Sequence, residues 1–232
     1  MQRLILFDID GTLLSTNGAA MRAFARAMVE VYGTTGPIST HSFGGKTDPQ
    51  IARELLRRAG FDDADIDRGL ADLWEKYLDE LRVELGRTEQ RTRVLPGITA
   101  LIDALSGRLD EVVLGLLTGN IEGGAALKLS SAGLDRAFRL GAFGSDHEHR
   151  DHLPDIAVAR AYTATGVHFR GKDIVVIGDT PNDVTCGRAL GVHAVAVATG
   201  SFGAAELHDA GADRVFDDLA DTATVLEALL NA

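Results

Sequence analysis

The sequence predicts an α/β protein whose core is a doubly wound parallel sheet, interrupted by one all-helical insertion. Short apolar runs recur along the chain, which is typical of strands buried on both faces of a parallel sheet. The segments between these runs have helical patterns, several with proline in the first turn or glycine after the last. This alternation of strand and helix is interrupted only between residues 15 and 95.

The predicted elements follow one another in the order that a doubly wound domain requires. Strands are predicted at residues 4–9, 112–117, 174–177 and 194–198, with a shorter candidate at residues 214–216. Helices are predicted at residues 121–132, 154–165 and 181–190. Gly133 and Gly191 follow two of these helices, where a glycine readily ends a helix.

The insertion contains helical patterns and no convincing strand. Apolar side chains repeat at three- and four-residue spacing along one helix, at Ile66, Leu70, Leu73, Tyr77, Leu81 and Leu85. Thr47-Asp48-Pro49 is typical of the start of another helix. We therefore predict a core domain of residues 1–14 and 96–232 and a helical domain of residues 15–95, whose apolar side chains, including Trp74, form a bundle interior.

The composition indicates a globular protein with an acidic surface. Of the 232 residues, 45% are hydrophobic, and 34 acidic residues against 23 basic ones give a net charge of −11. Such a surface repels nucleic acids and anionic lipid, so neither is expected as a partner. No apolar run reaches the roughly 20 residues of a membrane span, and Asp8 and Asp10 follow the first apolar run too soon for a signal peptide. We expect a cytoplasmic protein, either monomer or homodimer.

Reactive side chains follow three of the predicted strands. Asp8-Ile9-Asp10-Gly11-Thr12 follows the first, Thr118-Gly119-Asn120 the second, and Gly178-Asp179-Thr180-Pro181-Asn182-Asp183 the third. In a parallel sheet these segments meet at one edge, where ligands of such sheets bind. Four carboxylates brought together there require a cation, and oxygen ligands without His or Cys favour Mg²⁺. The set is suited to nucleophilic phosphoryl transfer through an aspartyl-phosphate.

These segments resemble the first, second and fourth motifs of the haloacid dehalogenase-like hydrolase superfamily. The resemblance implies a Rossmann-like core and a helical C1 cap, and it is nearest to phosphoglycolate-phosphatase-like members. It further implies a Mg²⁺-dependent phosphatase acting on a small phosphorylated metabolite. Asp8 is then the nucleophile and Asp10 the general acid/base. Mg²⁺ would be held by Asp8, Asp10 (through its carbonyl), Asp179 and Asp183, and the phosphoryl group by Thr118, Gly119 and Asn120.

The third motif of that superfamily, a lysine or arginine often followed by proline, has no direct counterpart here. Arg150 lies nearest to the start of the predicted helix at 154–165 and is our candidate for the cation that pairs with Asp8. Lys128 and Lys172 are the alternatives. Lys172 precedes the third strand, at the wrong end of the sheet, whereas Lys128 lies within the helix that follows the second motif.

The segment between residues 147 and 152 has a second interpretation. Its pattern, His-x-His-x-Asp-His, resembles the zinc-binding motif of the metallo-β-lactamase superfamily. That fold needs further ligands downstream, and the later histidines have no matching arrangement of strands. We therefore interpret the segment as a polar loop near the active-site edge.

The glycine-rich loop before the helix that starts at Thr47 is a candidate substrate contact. Gly44, Gly45 and Lys46 precede a helix N-terminus, an arrangement that suits an anion. We expect Lys46 and Thr47 to contact the substrate, and the alternative is that Thr47 or Asp48 only caps the helix. Three functional alternatives also remain: a phosphomutase, a phosphonoacetaldehyde-hydrolase-like enzyme using Lys46, and a non-catalytic binding module.

Overall fold

The computed structural model describes residues 2–87 and 92–231 and contains a six-stranded parallel sheet with helices on both faces. The strand order is β5-β4-β1-β6-β7-β8, so the first strand lies at the centre. The strands of this sheet are β1 (Arg3–Phe7), β4 (Val112–Thr118), β5 (Leu140–Phe143), β6 (Ile174–Gly178), β7 (His193–Val197) and β8 (Arg214–Phe216). A separate antiparallel pair is formed by β2 (Leu14–Ser15) and β3 (Arg93–Val94).

The helices alternate with these strands outside residues 15–95. Those within that segment are α1 (Ala19–Tyr32), α2 (Asp48–Arg58) and α3 (Asp63–Leu85). Those that cover the sheet are α4 (Ile98–Ser106), α5 (Glu122–Ala132), α6 (Leu153–Thr165), α7 (Pro181–Cys186), α8 (Ala204–Asp209) and α9 (Thr222–Leu230). The predicted fold class, a doubly wound parallel sheet with a helical insertion, is confirmed.

Apolar side chains form separate clusters for the sheet and for the helical segment. Each face of the sheet has its own cluster. The side chains of β1 alternate between the two, with Ile5 and Phe7 on one face and Leu4 and Leu6 on the other. A third cluster joins α1, α2 and α3, and Trp74 packs partly buried against it. The predicted interior position of Trp74 is therefore confirmed, whereas the domain boundaries at residues 14/15 and 95/96 stay predictions.

Three local features differ from the sequence prediction. The edge strand β5 was not predicted because it is only four residues long and includes Gly141, which leaves too short an apolar run. The helix predicted at 181–190 ends at Cys186, and a 3₁₀ turn at Arg188–Leu190 follows Gly187. The two-residue strands β2 and β3 pair at the points where the chain enters and leaves the helical segment, although no strand was predicted there.

Candidate active site

The three predicted motifs lie side by side at the carboxyl edge of the sheet. Within the sheet, β1 is flanked by β4 and β6, and Phe7 is in register with Leu116 and Ile177. Asp8 follows Phe7 directly, Thr118 and Asp179 lie two residues after Leu116 and Ile177, and all three line one cavity of about 470 Å³. This volume suits a small metabolite.

Asp8, Asp179 and Asp183 form a buried carboxylate cluster. Each offers an oxygen within 4.8 Å of the other two. Burial, followed by the charge of neighbouring aspartates, raises the pKa of Asp8 to about 7 and that of Asp179 to about 8, although Arg150 opposes the rise in both. The three carboxylates repel one another when all are ionised, and a divalent cation would relieve that repulsion. Their oxygen atoms are the hard ligands that Mg²⁺ prefers.

Glycine backbone closes around this carboxylate cluster. Gly11 has a φ of 81°, and a Cβ atom there would lie 2.4 Å from a carboxylate oxygen of Asp179. A Cβ at Gly200 would lie 1.7 Å from the same oxygen. A larger residue at either position would displace Asp179, so the two glycines leave the space that the carboxylate needs.

Arg150 lies against Asp8, as predicted for the third-motif cation. It begins the 3₁₀ turn Arg150–His152 before α6 and is buried. Its guanidinium group donates to Asp8 Oδ1 at 3.1 Å and to the Leu117 carbonyl at 3.0 Å, and it also contacts Asp183. Burial lowers the pKa of Arg150, but the adjacent Asp183 and Asp8 carboxylates raise it overall.

The two alternative lysines lie in different places. Lys172 bonds to Asp213 and to the Val192 carbonyl, away from the cavity. Lys128 is buried at the cavity and donates to Asp10 Oδ2 at 2.6 Å and to Asn120 Oδ1 at 2.5 Å. Each of the two first-motif aspartates therefore has a cation beside it, Arg150 at Asp8 and Lys128 at Asp10.

Asn120 connects Asp10 with Thr118. Its amide nitrogen donates to Asp10 Oδ2 at 2.9 Å and to Thr118 Oγ1 at 2.7 Å, while its oxygen accepts from Lys128. Because Thr118 Oγ1 accepts that bond, its own hydroxyl proton is left for another acceptor in the cavity. The side chain of Asn120 thus has its hydrogen bonds inside the protein and orients its neighbours.

The glycine-rich loop of the helical segment lies directly on the core. The backbone N–H of Asp48 donates to the Gly119 carbonyl at 2.7 Å, and Asn182 Nδ2 donates to the Gly44 carbonyl at 3.1 Å. A Cβ at Gly119 would lie 2.1 Å from the Lys46 carbonyl. The helical segment therefore covers the cavity, and glycine at position 119 permits this close approach.

Thr47 and Lys46 have different surroundings in that loop. Thr47 is fully buried and caps α2, and its hydroxyl donates to the Glu148 carbonyl at 2.5 Å. The helix-capping alternative thus describes Thr47, whose side chain is not among the cavity-lining residues that the structure describes. Lys46 lines the cavity, but its ammonium group bonds to Glu54 at 2.5 Å. The expected contact between Lys46 and substrate stays a prediction.

Two ionisable side chains that line the cavity, those of Asp48 and Tyr77, were not predicted as part of the site. Asp48 Oδ2 accepts from the Ile121 backbone N–H at 2.8 Å. Burial raises the pKa of Asp48 to about 6, although Lys128 and the Ile121 N–H oppose the rise. Tyr77 also lines the cavity, and burial followed by the charges of Asp48 and Asp10 raises its pKa. The sequence indicated only a helix cap for Asp48 and a bundle interior for Tyr77.

The side chains of the histidine-rich loop at residues 147–152 contact one another and the helical segment. The rings of His147 and His152 lie 4.0 Å apart between centroids, and Glu148 pairs with Arg53 at 3.0 Å. Among the described residues, the only group of three that could hold a metal is the aspartate cluster. The interpretation of this loop as a polar segment near the site agrees with these contacts.

Comparisons with known proteins agree with this arrangement. The family model described as haloacid dehalogenase-like hydrolase matches residues 5–197. The chain is similar to 2-deoxyglucose-6-phosphate phosphatase 1 of Saccharomyces cerevisiae, with 28% identity over 96% of this chain and 90% of that protein. It is also similar to a phosphoglycolate phosphatase of Chromobacterium violaceum, with 26% identity over 94% of each chain.

Solved structures show the same fold. A hydrolase from Pseudomonas syringae superposes with a TM-score of 0.72 and 23% identity, covering 97% of this chain and 98% of that one. In the part of the chain that the structure describes, no helix is both long and apolar enough to span a bilayer.

Proposed function

The chain belongs to the haloacid dehalogenase-like hydrolase family, and from this premise we propose that it is a phosphatase that hydrolyses a small phosphate monoester with the help of Mg²⁺. The observation that carries the proposal is the position of Asp8 at the floor of the cavity. Arg150 bonds to its Oδ1, while its Oδ2 has no hydrogen bond to any described residue. A carboxylate held by one oxygen and open at the other is suited to attack phosphorus.

Mg²⁺ would be held by Asp8, Asp179 and Asp183, together with the backbone carbonyl of Asp10. The fit rests on the three buried carboxylates and on the raised pKa values of Asp8 and Asp179, since both indicate a need for positive charge. When bound, the ion neutralises charge on the phosphoryl oxygens and on the aspartates.

The remaining residues have distinct roles in this proposal. Asp8 attacks the phosphoryl group in line, and Asp10 protonates the departing alcohol. Asp10 then removes a proton from the water that hydrolyses the aspartyl-phosphate. Thr118, the backbone around Gly119 and Asn120, and Arg150 would bind the phosphoryl oxygens, while Lys128 and the Asn120 side chain hold Asp10 in position.

Phosphate transfer to water is the outcome that the relatives support. The curated relatives are named as phosphatases of 2-deoxyglucose-6-phosphate and of phosphoglycolate. A phosphomutase would use the same aspartates but return the phosphoryl group to a sugar. A Schiff base at Lys46 would require that lysine to leave Glu54.

The test is phosphate release from a panel of monoesters with Mg²⁺ and with EDTA, for wild type, Asp8→Asn and Asp72→Asn. Asp72 is exposed on α3, so its variant is a matched control for the loss of one carboxylate. We expect Mg²⁺-dependent release that falls by about 10³-fold or more in Asp8→Asn alone. No release from any ester by the folded protein would contradict the proposal, and transfer to a second sugar position would indicate a mutase.

A further inference from the structure

The side of the cavity formed by the helical segment differs from the catalytic side in being mostly apolar. We call it the cap wall, and its cavity-lining side chains are Thr16, Ala20, Met21, Phe24, Phe43, Lys46, Asp48, Ile51 and Tyr77. Phe24 is held by an edge contact with Tyr77 and a stacked contact with Trp74. Asp8 and this wall line the same cavity, so in the proposed reaction the wall would contact the alcohol part of the phosphate ester.

Among the described residues, each cation that lines the cavity has a carboxylate partner. Arg150 bonds to Asp8, Lys128 bonds to Asp10, and Lys46 bonds to Glu54 at 2.5 Å. The Lys46 partner matters most, because Lys46 is the only cation among the cavity-lining residues described on the cap wall. Lys46 is paired with Glu54, and Asp48 adds a second carboxylate to the same wall, so that wall has no net positive charge to offer a second anionic group.

Three polar atoms of the cap wall have no hydrogen bond to any described residue: the Thr16 hydroxyl, the Tyr77 hydroxyl and Asp48 Oδ1. Asp48 uses its other oxygen, Oδ2, to accept from the Ile121 N–H. None of these three atoms is fully enclosed by protein, so a hydroxyl group of a ligand would replace water as their hydrogen-bond partner. The carboxylate oxygen accepts from a hydroxyl group but repels a carboxylate.

We propose that the substrate is a phosphate monoester whose alcohol part is uncharged and carries a hydroxyl group, and that Asp48 excludes alcohols bearing a carboxylate. The inference rests on the proposed phosphatase function and specifies its substrate class. The apolar side chains contact the carbon skeleton, and Asp48 and Tyr77 bond to hydroxyl groups on it. The chain would thus differ in preference from relatives named for phosphoglycolate, whose alcohol part is an anion.

A matched pair of esters isolates the charge. 2-Hydroxyethyl phosphate and 2-phosphoglycolate differ only in having a hydroxymethyl group or a carboxylate at the same carbon. With Mg²⁺ at pH 8, we expect wild type to hydrolyse the first with a kcat/KM at least about tenfold higher than the second. Calorimetric binding of both esters to Asp8→Asn provides a second measurement, in which the same order of affinities is expected.

Two variants assign this preference to the cap wall. Asp48→Asn keeps an oxygen for the Ile121 N–H and removes the charge, so the preference should fall by about fivefold or more through improved use of 2-phosphoglycolate. Glu54→Gln releases Lys46 without altering Asp48 and should shift the preference in the same direction. Asp72→Asn makes the same chemical change as Asp48→Asn on the exposed surface of α3 and should leave the ratio unchanged.

The outcomes separate this inference from the function on which it rests. Equal or faster hydrolysis of 2-phosphoglycolate by wild type, with release still lost in Asp8→Asn, would overturn the substrate class and leave the phosphatase intact. An unchanged ratio in both Asp48→Asn and Glu54→Gln would overturn the role of the cap wall. Absence of release from every ester would overturn the phosphatase proposal together with the inference.

Discussion

The catalytic side of the cavity and the cap wall differ in the kind of side chain that forms them: the first is mostly charged and the second mostly apolar. The catalytic side combines carboxylates that follow strand ends with cations from α5 and from the turn before α6. Each of these cations lies against a carboxylate, as Arg150 does against Asp8 and Lys128 against Asp10. The cap wall consists of helix and loop side chains that are mostly apolar, and its carboxylate, Asp48, has no ion-pair partner among the described residues. Fixed, paired charges suit a reaction whose atoms must be held in place, whereas an apolar wall with few polar groups suits selection among ligands.

After Asp8→Asn, the largest expected effect is also on the catalytic side, at Arg150. Arg150→Met leaves Asp8 and Asp183 without their buried counter-charge, so we expect kcat to fall by about 10²-fold. We also expect the EDTA-treated protein to lose about 3 kcal/mol of unfolding free energy in urea, because one partner of a buried ion pair is removed. Arg108→Met, whose guanidinium pairs with Glu111 on the surface, is the matched control. If Arg150→Met kept wild-type kcat, paired charge on the catalytic side would not be needed for the reaction, and the contrast with the cap wall would be wrong.

A second prediction concerns the charge of Asp48. Its pKa is raised from 3.8 to about 6, so the folded protein keeps a proton that the unfolded chain loses as the pH rises through this range. Wild type therefore loses stability from about pH 4 to 7, and Asp48→Asn does not lose this contribution. We expect the stability of Asp48→Asn relative to wild type to increase over that range by on the order of 1 kcal/mol, measured by urea unfolding in EDTA. A difference that is constant with pH would contradict burial of this charge.

A smaller effect is expected at Met21 on the cap wall. Met21 is 38% exposed and lines the cavity, so Met21→Ala removes apolar contact with the substrate but no charged group. We expect KM for the preferred ester to rise about threefold with kcat unchanged, which is the signature of lost uniform binding. Val83→Ala, an exposed apolar position outside the cavity, should have neither effect. A large fall in kcat would show that the cap wall also positions the reacting atoms.

The smallest effect is expected at Lys46. Its ammonium group is paired with Glu54, so Lys46→Ala should alter KM for 2-hydroxyethyl phosphate by less than about twofold. Steady-state kinetics with saturating Mg²⁺ measures this directly. A tenfold rise in KM would instead support the contact between Lys46 and a substrate anion that the sequence predicts, and it would place a binding cation on the cap wall.

Sequence patterns predicted most of the catalytic side because its residues are tied to strand ends. Asp8, Thr118 and Asp179 each follow a buried apolar run, and parallel pairing brings such positions together irrespective of what lies between them. Arg150 was selected from three candidates by its position before a helix. Its contact with Asp8 agrees with that selection, and its catalytic role stays a prediction.

The cap wall was poorly predicted because helical spacing does not show which faces meet a cavity. Tyr77 fits the apolar repeat of α3, and only the packing of that helix against the core brings its hydroxyl group to the site. Lys46 beside two glycines resembles an anion-binding loop in the sequence. Lys46 pairs with Glu54, which lies eight residues later on α2. This pairing depends on how the loop turns back onto that helix.

By itself, the sequence determined the parallel sheet, the helical insertion and the residues at three strand ends, because burial and chain direction fix these locally. The tertiary structure decided the partners of the charges: Arg150 with Asp8, Lys128 with Asp10, and Lys46 with Glu54. Charge pairing depends on distances between segments remote in the chain, and no local pattern contains those distances. For the same reason, Asp48 is an ordinary helix-start residue in the sequence, whereas in the folded protein it is a cavity carboxylate with no ion-pair partner among the described residues.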